Sequence, residues 1–263
     1  MIKLIACDLD GTALNDKKVL DKELIRLKPI LKEIGVELTF ITGRNEEILK
    51  EYVDEADIDV PYATNNGANI FKQHNRIETD CIDQEYNNYL ASLLYEYDIP
   101  NRIFTLENIY ALGWTPFFEE RMKYYEGRLK EYHSDMDISG DHINKITADF
   151  GGHPESVDEV YKKAMAKCPN IAFLKADTDV YTINSATANK GEALKRICKL
   201  LEIDVKDTMT FGDNGTDIPM VELSGIGVMM ANGEEEVKKH ADYICEDNNS
   251  QGVSKFIKEY FKL

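Results

Sequence analysis

Short apolar runs bounded by polar or glycine-containing turns alternate with helically spaced apolar positions at both ends of the chain. Lys3–Cys7, Glu37–Ile41, Tyr62–Thr64, Thr208–Phe211, Gly227–Met229 and Tyr243–Cys245 read as strands. Several are continuously apolar, as expected of strands covered on both faces. Between them, Leu24, Leu27, Leu31 and Ile34 recur at helical spacing before Gly35, a stop signal, and Pro29 predicts a kink or break in that helix. Leu194, Ile197, Leu200 and Leu201 mark a second helix, and Val253, Phe256, Ile257, Tyr260 and Phe261 a third. The alternation predicts one α/β sheet of parallel strands joined by crossover helices.

The middle of the chain, Ile82 to Ser185, has another texture, with most of the aromatic residues and a cluster of charge around Glu119–Glu131. Helical patterns over Glu85–Tyr97, Phe117–Tyr132 and Pro154–Cys168 alternate with extended stretches at Asn108–Gly113, Ile143–Phe150, Ile171–Leu174 and Val180–Asn184. An inserted module with its own small core fits this pattern. The predicted division is a discontinuous core, 1–81 with 186–263, and an insert over 82–185.

Charge narrows the partners. Forty-eight acidic against thirty-one basic side chains give a net charge of −17, which repels nucleic acid and the anionic face of a membrane. An anionic substrate would therefore need a metal and a few cations to reverse the sign locally. With 43% hydrophobic residues in 263, the chain can bury a sizeable core. Cys7, Cys81, Cys168, Cys198 and Cys245 form no CxxC motif and predict free thiols in a reducing compartment. The N-terminus turns acidic by Asp8, unlike a secretory signal, and no apolar run approaches the roughly 18 residues that span a bilayer. A cytoplasmic location is expected, with no membrane or nucleic-acid partner.

The sharpest chemical signal is Asp8-Leu9-Asp10-Gly11-Thr12, directly after the first strand. Sites in open parallel sheets lie beyond the carboxyl ends of strands, and carboxylates at i and i+2 of an extended segment point the same way. Crowding them is costly unless a cation intervenes or one takes a proton. Taken alone, the motif also fits a surface turn. A second strand ends in Thr42-Gly43-Arg44, whose hydroxyl and backbone N–H groups can cradle phosphate oxygens, though the same residues start an ordinary helix. A third ends in Gly212-Asp213-Asn214-Gly215-Thr216-Asp217, an oxygen-rich set that suits Mg²⁺. Lys190-Gly191 opens the helix that carries Leu194; such a lysine is usually solvated.

In this order, the four pieces resemble the haloacid dehalogenase superfamily. The insert is similar to the large α/β cap of its Cof-type sugar-phosphatase branch, and Asn65-Asn66-Gly67-Ala68 and Ala231-Asn232-Gly233, with Val237, Lys238 and Ala241-Asp242, resemble further family signatures. The resemblance covers the whole chain and implies an α/β fold: a Rossmann-like parallel-sheet core with an inserted α/β cap. It further implies an Mg²⁺-dependent phosphatase for a small phosphorylated metabolite, such as a sugar phosphate. Asp8 would be the nucleophile that forms an aspartyl-phosphate, and Asp10 the general acid and base, a weaker acid than Asp8 while substrate is bound. Mg²⁺ would be held by Asp8, the Asp10 carbonyl and Asp213, with Asn214 and Asp217 orienting the site from behind. Leu9 N–H, Thr42, Gly43 N–H, Lys190 and Thr216 would hold the phosphoryl oxygens. Arg44 and Asn66 are candidates for near-site or substrate contacts. Thr216 departs from the family pattern, where Asn commonly stands, so its phosphate contact would be less direct.

The same motifs fit a phosphosugar mutase, and a catalytically silent metabolite-binding regulator is the reading from another class. Specificity is expected from a cap hinged near Ile82 and Ser185, with Trp114, His142, Lys145 and Asp177 as unranked candidates. Neither the physiological substrate nor the oligomeric state is legible in the sequence.

Overall fold

A computed structural model of the chain describes residues 1–263 except Glu126 and Asp177. In chain order the elements are β1 (Leu4–Cys7), α1 (Lys22–Glu33), β2 (Glu37–Phe40), α2 (Glu46–Glu55), β3 (Tyr62–Thr64), β4 (Asn69–Lys72) and β5 (Asn75–Thr79). There follow α3 (Asn87–Glu96), β6 (Asn101–Thr105), β7 (Ile109–Leu112), α4 (Pro116–Glu119), β8 (Leu129–Glu131), β9 (Ile143–Asp149), α5 (Val157–Lys167), β10 (Ile171–Lys175) and β11 (Val180–Ser185). The chain closes with α6 (Lys190–Leu201), β12 (Thr208–Gly212), α7 (Ile218–Leu223), β13 (Ile226–Met230), α8 (Glu235–Lys238), β14 (Tyr243–Cys245) and α9 (Gly252–Phe261). They fall into two units, Met1–Glu78 with Asn189–Leu263, and Thr79–Ala188.

The first unit is built on a parallel sheet in the order β14-β13-β12-β1-β2. Strand β1, an interior strand of this sheet, reads Leu-Ile-Ala-Cys because both faces are covered. Ile5 and Cys7 join the core made with Leu24, Leu27 and Leu31 of α1, Leu49 and Val53 of α2, and Val253 and Ile257 of α9. Leu4 and Ala6 point the other way, against Ala193, Leu194 and Ile197 of α6 and Met220 and Val221 of α7. This alternation places β1 in the middle layer of a helix–sheet–helix sandwich, and its carboxyl end opens between those of β12 and β2.

Two expectations are corrected here. Tyr62–Thr64 is a strand, but it pairs antiparallel with β4 in a separate three-stranded sheet and meets the main sheet only through the Ile41–Ala63 bridge. Helix α1 runs unbroken through Pro29, which lies on its exposed side, where water can satisfy the carbonyl the proline leaves unpaired. Asp21 caps its start, accepting from the Glu23 and Leu24 N–H groups, and Gly35, in the left-handed region, ends it as expected.

The second unit has a six-stranded sheet, β10-β11-β9-β6-β7-β8, antiparallel except between β7 and β8. Helices α3 and α5 cover one face through Leu90, Leu94, Val160 and Ala164, packed on Ile103, Ile146 and Ala148. The expected helix over Phe117–Tyr132 is not formed. A single turn, α4, gives way to a 3₁₀ turn at Met122–Tyr124 and then to β8, because pairing of Leu129–Glu131 with Ile109–Ala111 outweighs local helical preference. Strand β6 was missed because Asn101 and Arg102 interrupt its apolar pattern, although both are buried.

Candidate active site

Asp8 is the first residue past β1 and its carboxylate is buried, 2% exposed. Its N–H donates to the Phe211 carbonyl (3.0 Å), which locks the turn to β12. From the start of α6, Lys190 reaches inward with its ammonium 2.7 Å from Asp8 Oδ1 and 2.5 Å from Asp217 Oδ1. That lysine is 1% exposed, so it is not the solvated residue its type suggests. Asn189 caps α6 by accepting from Glu192 N–H (3.0 Å), which places Lys190 in the helix's first turn. Burial opposes the ammonium charge, but Asp217 and Asp8 outweigh it and hold the lysine protonated.

Carboxylate oxygens of Asp8, Asp213 and Asp217 lie within 4.8 Å of one another. Burial raises the Asp8 carboxyl well above the usual range; Lys190 partly offsets this, while Asp217 and Asp213 add to it. Burial and the Asp217 charge raise Asp213 to about 7. With one lysine paired to only two of them, the three crowded acids resist ionising together; a further cation would relieve that penalty, and their all-oxygen donor set suits a hard divalent ion. Asp217, expected only to orient the site, thus stands in the acidic cluster itself, while its Oδ2 accepts from the Asp213 and Asn214 N–H groups (3.0 Å each). Gly11 makes this crowding feasible: its φ is +77°, and a Cβ there would collide with the Asp213 carboxylate.

The Asp10 carboxylate is not part of that cluster. Arg44 grips it with two bonds, Nε to Oδ2 (2.6 Å) and Nη2 to Oδ1 (2.7 Å), and Lys18 Nζ adds a third to Oδ1 (2.7 Å). Burial opposes its charge, but the hydrogen bonds and charge of Arg44 and then Lys18 hold this carboxyl well below the ordinary carboxylate range. Two cations thus converge on Asp10 and favour its charged form, while burial pushes Asp8 the other way; the expected order of acidity concerns the substrate-bound site, and the convergence itself left no mark in the sequence. Arg44 also stacks on Tyr52, with 5.0 Å from Cζ to the ring centroid, and Tyr52 hydroxyl donates to the Lys18 carbonyl (3.1 Å).

Thr42 is buried, and its hydroxyl accepts from Arg44 N–H (3.2 Å). A Cβ on Gly43 would press on Asn66 Oδ1. Asn66, itself in the left-handed region, donates its N–H to the Thr42 carbonyl (2.9 Å), so the Asn65–Ala68 turn braces the Thr42–Arg44 loop. Thr216 turns its hydroxyl to Asn214 Oδ1 (2.6 Å). Leu9 packs into the core and its carbonyl accepts from the Thr12 and Leu14 N–H groups.

Two supports were not singled out from sequence. Thr12 hydroxyl donates to Asp213 Oδ1 (3.0 Å). Asn248 donates to the Leu14 carbonyl (3.0 Å) and, through its backbone, to Asn232 Oδ1 (3.1 Å), while Asn232 donates to the Gly11 carbonyl (2.8 Å). Asn232 belonged to a recognised signature, but nothing local marked Asn248.

The arrangement is matched by a known family: the model for haloacid dehalogenase-like hydrolases covers residues 5–257. The chain belongs to the haloacid dehalogenase-like hydrolases. Among relatives of this hydrolase, the 5-amino-6-(5-phospho-D-ribitylamino)uracil phosphatase YcsE of Bacillus subtilis is 27% identical, over 98% of this chain and 96% of its own. Phosphatase YwpJ of the same organism is 26% identical over 98% and 99%. The subclass IIB sugar phosphatase BT4131 shares the fold, with a TM-score of 0.85 at 22% identity over 99% and 100% of the two chains. The sheet-and-insert architecture thus agrees with the Cof-type branch.

Of the substrate candidates in the insert, His142 is exposed, Lys145 lies over the Phe104 ring (5.8 Å), and Trp114 is half-exposed beside Arg102. Asp177 lies outside the described residues. No described helix is long and apolar enough to cross a membrane.

Proposed function

We propose that this hydrolase is an Mg²⁺-dependent phosphatase that takes the phosphoryl group of a small phosphorylated metabolite, of the sugar-phosphate class, onto Asp8. The observation that carries the reading is the buried Asp8 carboxylate at a strand end, bridged by Lys190 and flanked by Asp213 and Asp217. The phosphatase names of YcsE and YwpJ support it, and the ribityl phosphate in the first fits the substrate class.

Asp8, Asp213 and the Asp10 carbonyl would hold the ion, which when bound neutralises charge on the phosphoryl oxygens. The chain's own residues do the rest. An Asp8 oxygen forms a bond to phosphorus as the ester P–O bond breaks, and the leaving oxygen takes a proton from Asp10. Water then attacks the aspartyl-phosphate, Asp10 recovers a proton from it, and the Asp8–phosphorus bond breaks to release inorganic phosphate. Lys190, Thr42 and the Leu9 and Gly43 N–H groups hold the phosphoryl oxygens, and Arg44, Asn66 and Thr216 stand around them. To act as an acid, Asp10 must take up a proton on one oxygen, which frees Lys18 and one arm of the Arg44 fork while the other arm keeps the carboxyl aimed; a substrate dianion competing for the same cations would favour that change. The insert Ile82–Ser185 would serve as a cap that excludes water during transfer.

Phosphate release from a panel of sugar phosphates, nucleotides and cofactor phosphates with Mg²⁺ is the direct test. Asp8→Asn, nearly identical in shape, should abolish release with the circular dichroism spectrum unchanged. Near-normal release by this variant would remove the mechanism. Phosphate transferred within a sugar, with none set free, would instead indicate the mutase.

A further inference from the structure

Arg102 occupies the middle of β6, opposite Thr147 of β9 and Ala111 of β7. Its neighbour Ile103 packs under α3 and α5, so strand alternation turns Arg102 to the other face of the sheet. The residue is 0% exposed. Nη1 is held by three carbonyls, of Asn101 (2.7 Å), Leu112 (3.3 Å) and Gly113 (2.9 Å). The guanidinium lies between the rings of Phe118 (4.2 Å from Cζ to centroid) and Trp114 (4.9 Å).

The other edge of the guanidinium is unused. Nε and Nη2 are buried with no hydrogen-bond partner, and no carboxylate is among the groups that act on the Arg102 charge. Burial lowers its pKa to about 10, so it still carries its charge at neutral pH. A buried charge without an opposite charge is costly, and fold alone does not require one on this face. A second partnerless buried atom, Thr115 Oγ1, lies between Trp114 and Phe118 in sequence. Elsewhere in this chain the same two atoms of an arginine show what they suit: Arg44 uses Nε and Nη2 to grip both oxygens of Asp10.

We propose that the Nε–Nη2 edge of Arg102, with the Thr115 hydroxyl, is an oxyanion-binding site of the Thr79–Ala188 unit. It takes two oxygens of a ligand's carboxylate, phosphate or sulfate group. Three carbonyls and two rings fix the guanidinium in advance, so little side-chain entropy is lost on binding. The Trp114–Glu119 segment, whose two rings lie against the guanidinium, would lift to admit a ligand; it holds a single helical turn and a 59%-exposed tryptophan. The net charge of −17 makes an unpaired arginine here a local reversal of sign.

Trp114 is the chain's only tryptophan, so its fluorescence reports on this site. The full-length protein would be titrated with inorganic phosphate, sulfate and malonate at constant ionic strength. A saturable change in emission is expected with at least one, the tetrahedral ions and the dicarboxylate identifying which oxyanion is preferred. Arg102→Met should abolish it. Arg102→Lys keeps the charge but not the fork and should weaken binding at least ten-fold, which decides the matter if the Met variant does not fold. Lys190→Met, altered only in the first unit, should titrate like the parent. No saturable change with any of the three ions, parent-like titration by Arg102→Lys, or loss of the signal in Lys190→Met would each overturn the proposal. Because the readout is emission and not turnover, the result is independent of whether Asp8 proves to be a nucleophile.

Discussion

Asp10 and Arg44 form a two-bond fork of the kind that fixes a carboxylate in one orientation, whereas Lys18 contributes a single contact. Arg44→Met should leave Asp10 loosely held. Since general acid–base catalysis contributes about 10²–10⁴-fold, partial loss of positioning should lower kcat by about ten-fold or more. Arg44→Lys should recover only part of this, because an ammonium cannot form the fork. Steady-state rates on a generic phosphate ester check both, and an unaffected Arg44→Met enzyme would show the fork to be dispensable. Asn248 is the second test. Its side chain is buried and bonded to the Leu14 carbonyl, so Asn248→Ala should cost roughly 1–3 kcal/mol in denaturant unfolding. Asp8, Asp213 and Asp217 stood out in the sequence because each follows a strand end, whereas Lys190, of a type that is usually solvated, was marked only by the family resemblance. Lys18 and Asn248 did not stand out, since an amide 234 residues from Leu14 carries no local mark of its partner.

At the scale of elements, the turn between β4 and β5 is fastened to α2 by one histidine. His74, with Gln73 before it, lies in the left-handed region, and its ring nitrogens contact Glu46 Oε1 (2.8 Å) and Asp54 Oδ1 (2.7 Å). Burial disfavours its charge, but the bonds to Glu46 and Asp54 outweigh this and raise its pKa. A histidine raised in the fold stabilises fully below its unfolded pKa of about 6.5, and that stabilisation fades as pH rises through the folded value. His74→Gln should therefore cost about 1 kcal/mol near pH 6 and much less near pH 9, as read from paired urea unfolding curves. Equal costs at the two pH values would mean that the ring only packs. Strand β1, continuously apolar, was read from sequence almost to the residue, and α6 was marked by apolar positions at helical spacing after Lys190. Elements stabilised by pairing across the sheet were not read in this way: β8 was hidden in an apparent helix, and β6 behind a buried arginine.

Over the whole molecule, a net charge of −17 meets a site of three clustered carboxylates, two of which pair with one buried lysine. A divalent ion bound there should act as a stabiliser of the folded state. At about 100 times its Kd, Mg²⁺ should contribute ~2.7 kcal/mol, a rise in Tm of roughly 5–10 °C for a chain of this size. Asp213→Asn should erase most of that shift in a thermal melt with and without chelator. A parent protein whose melting ignores Mg²⁺ would leave the cluster without its proposed occupant.

The order of strands in the parallel sheet also sets a timetable for synthesis. Leu4 of β1 pairs with Thr208 of β12, so the ribosome must add some 200 residues before β1 gains its second neighbour. At about 5–20 residues per second this is roughly 10–40 s. The stretch Thr79–Ala188 is continuous and can collapse as it emerges, whereas the first 78 residues wait with apolar strands half-covered. Nascent chains are thus most exposed to aggregation and to chaperones in that interval, and substitutions in β12 act on yield during translation before they act on the finished enzyme.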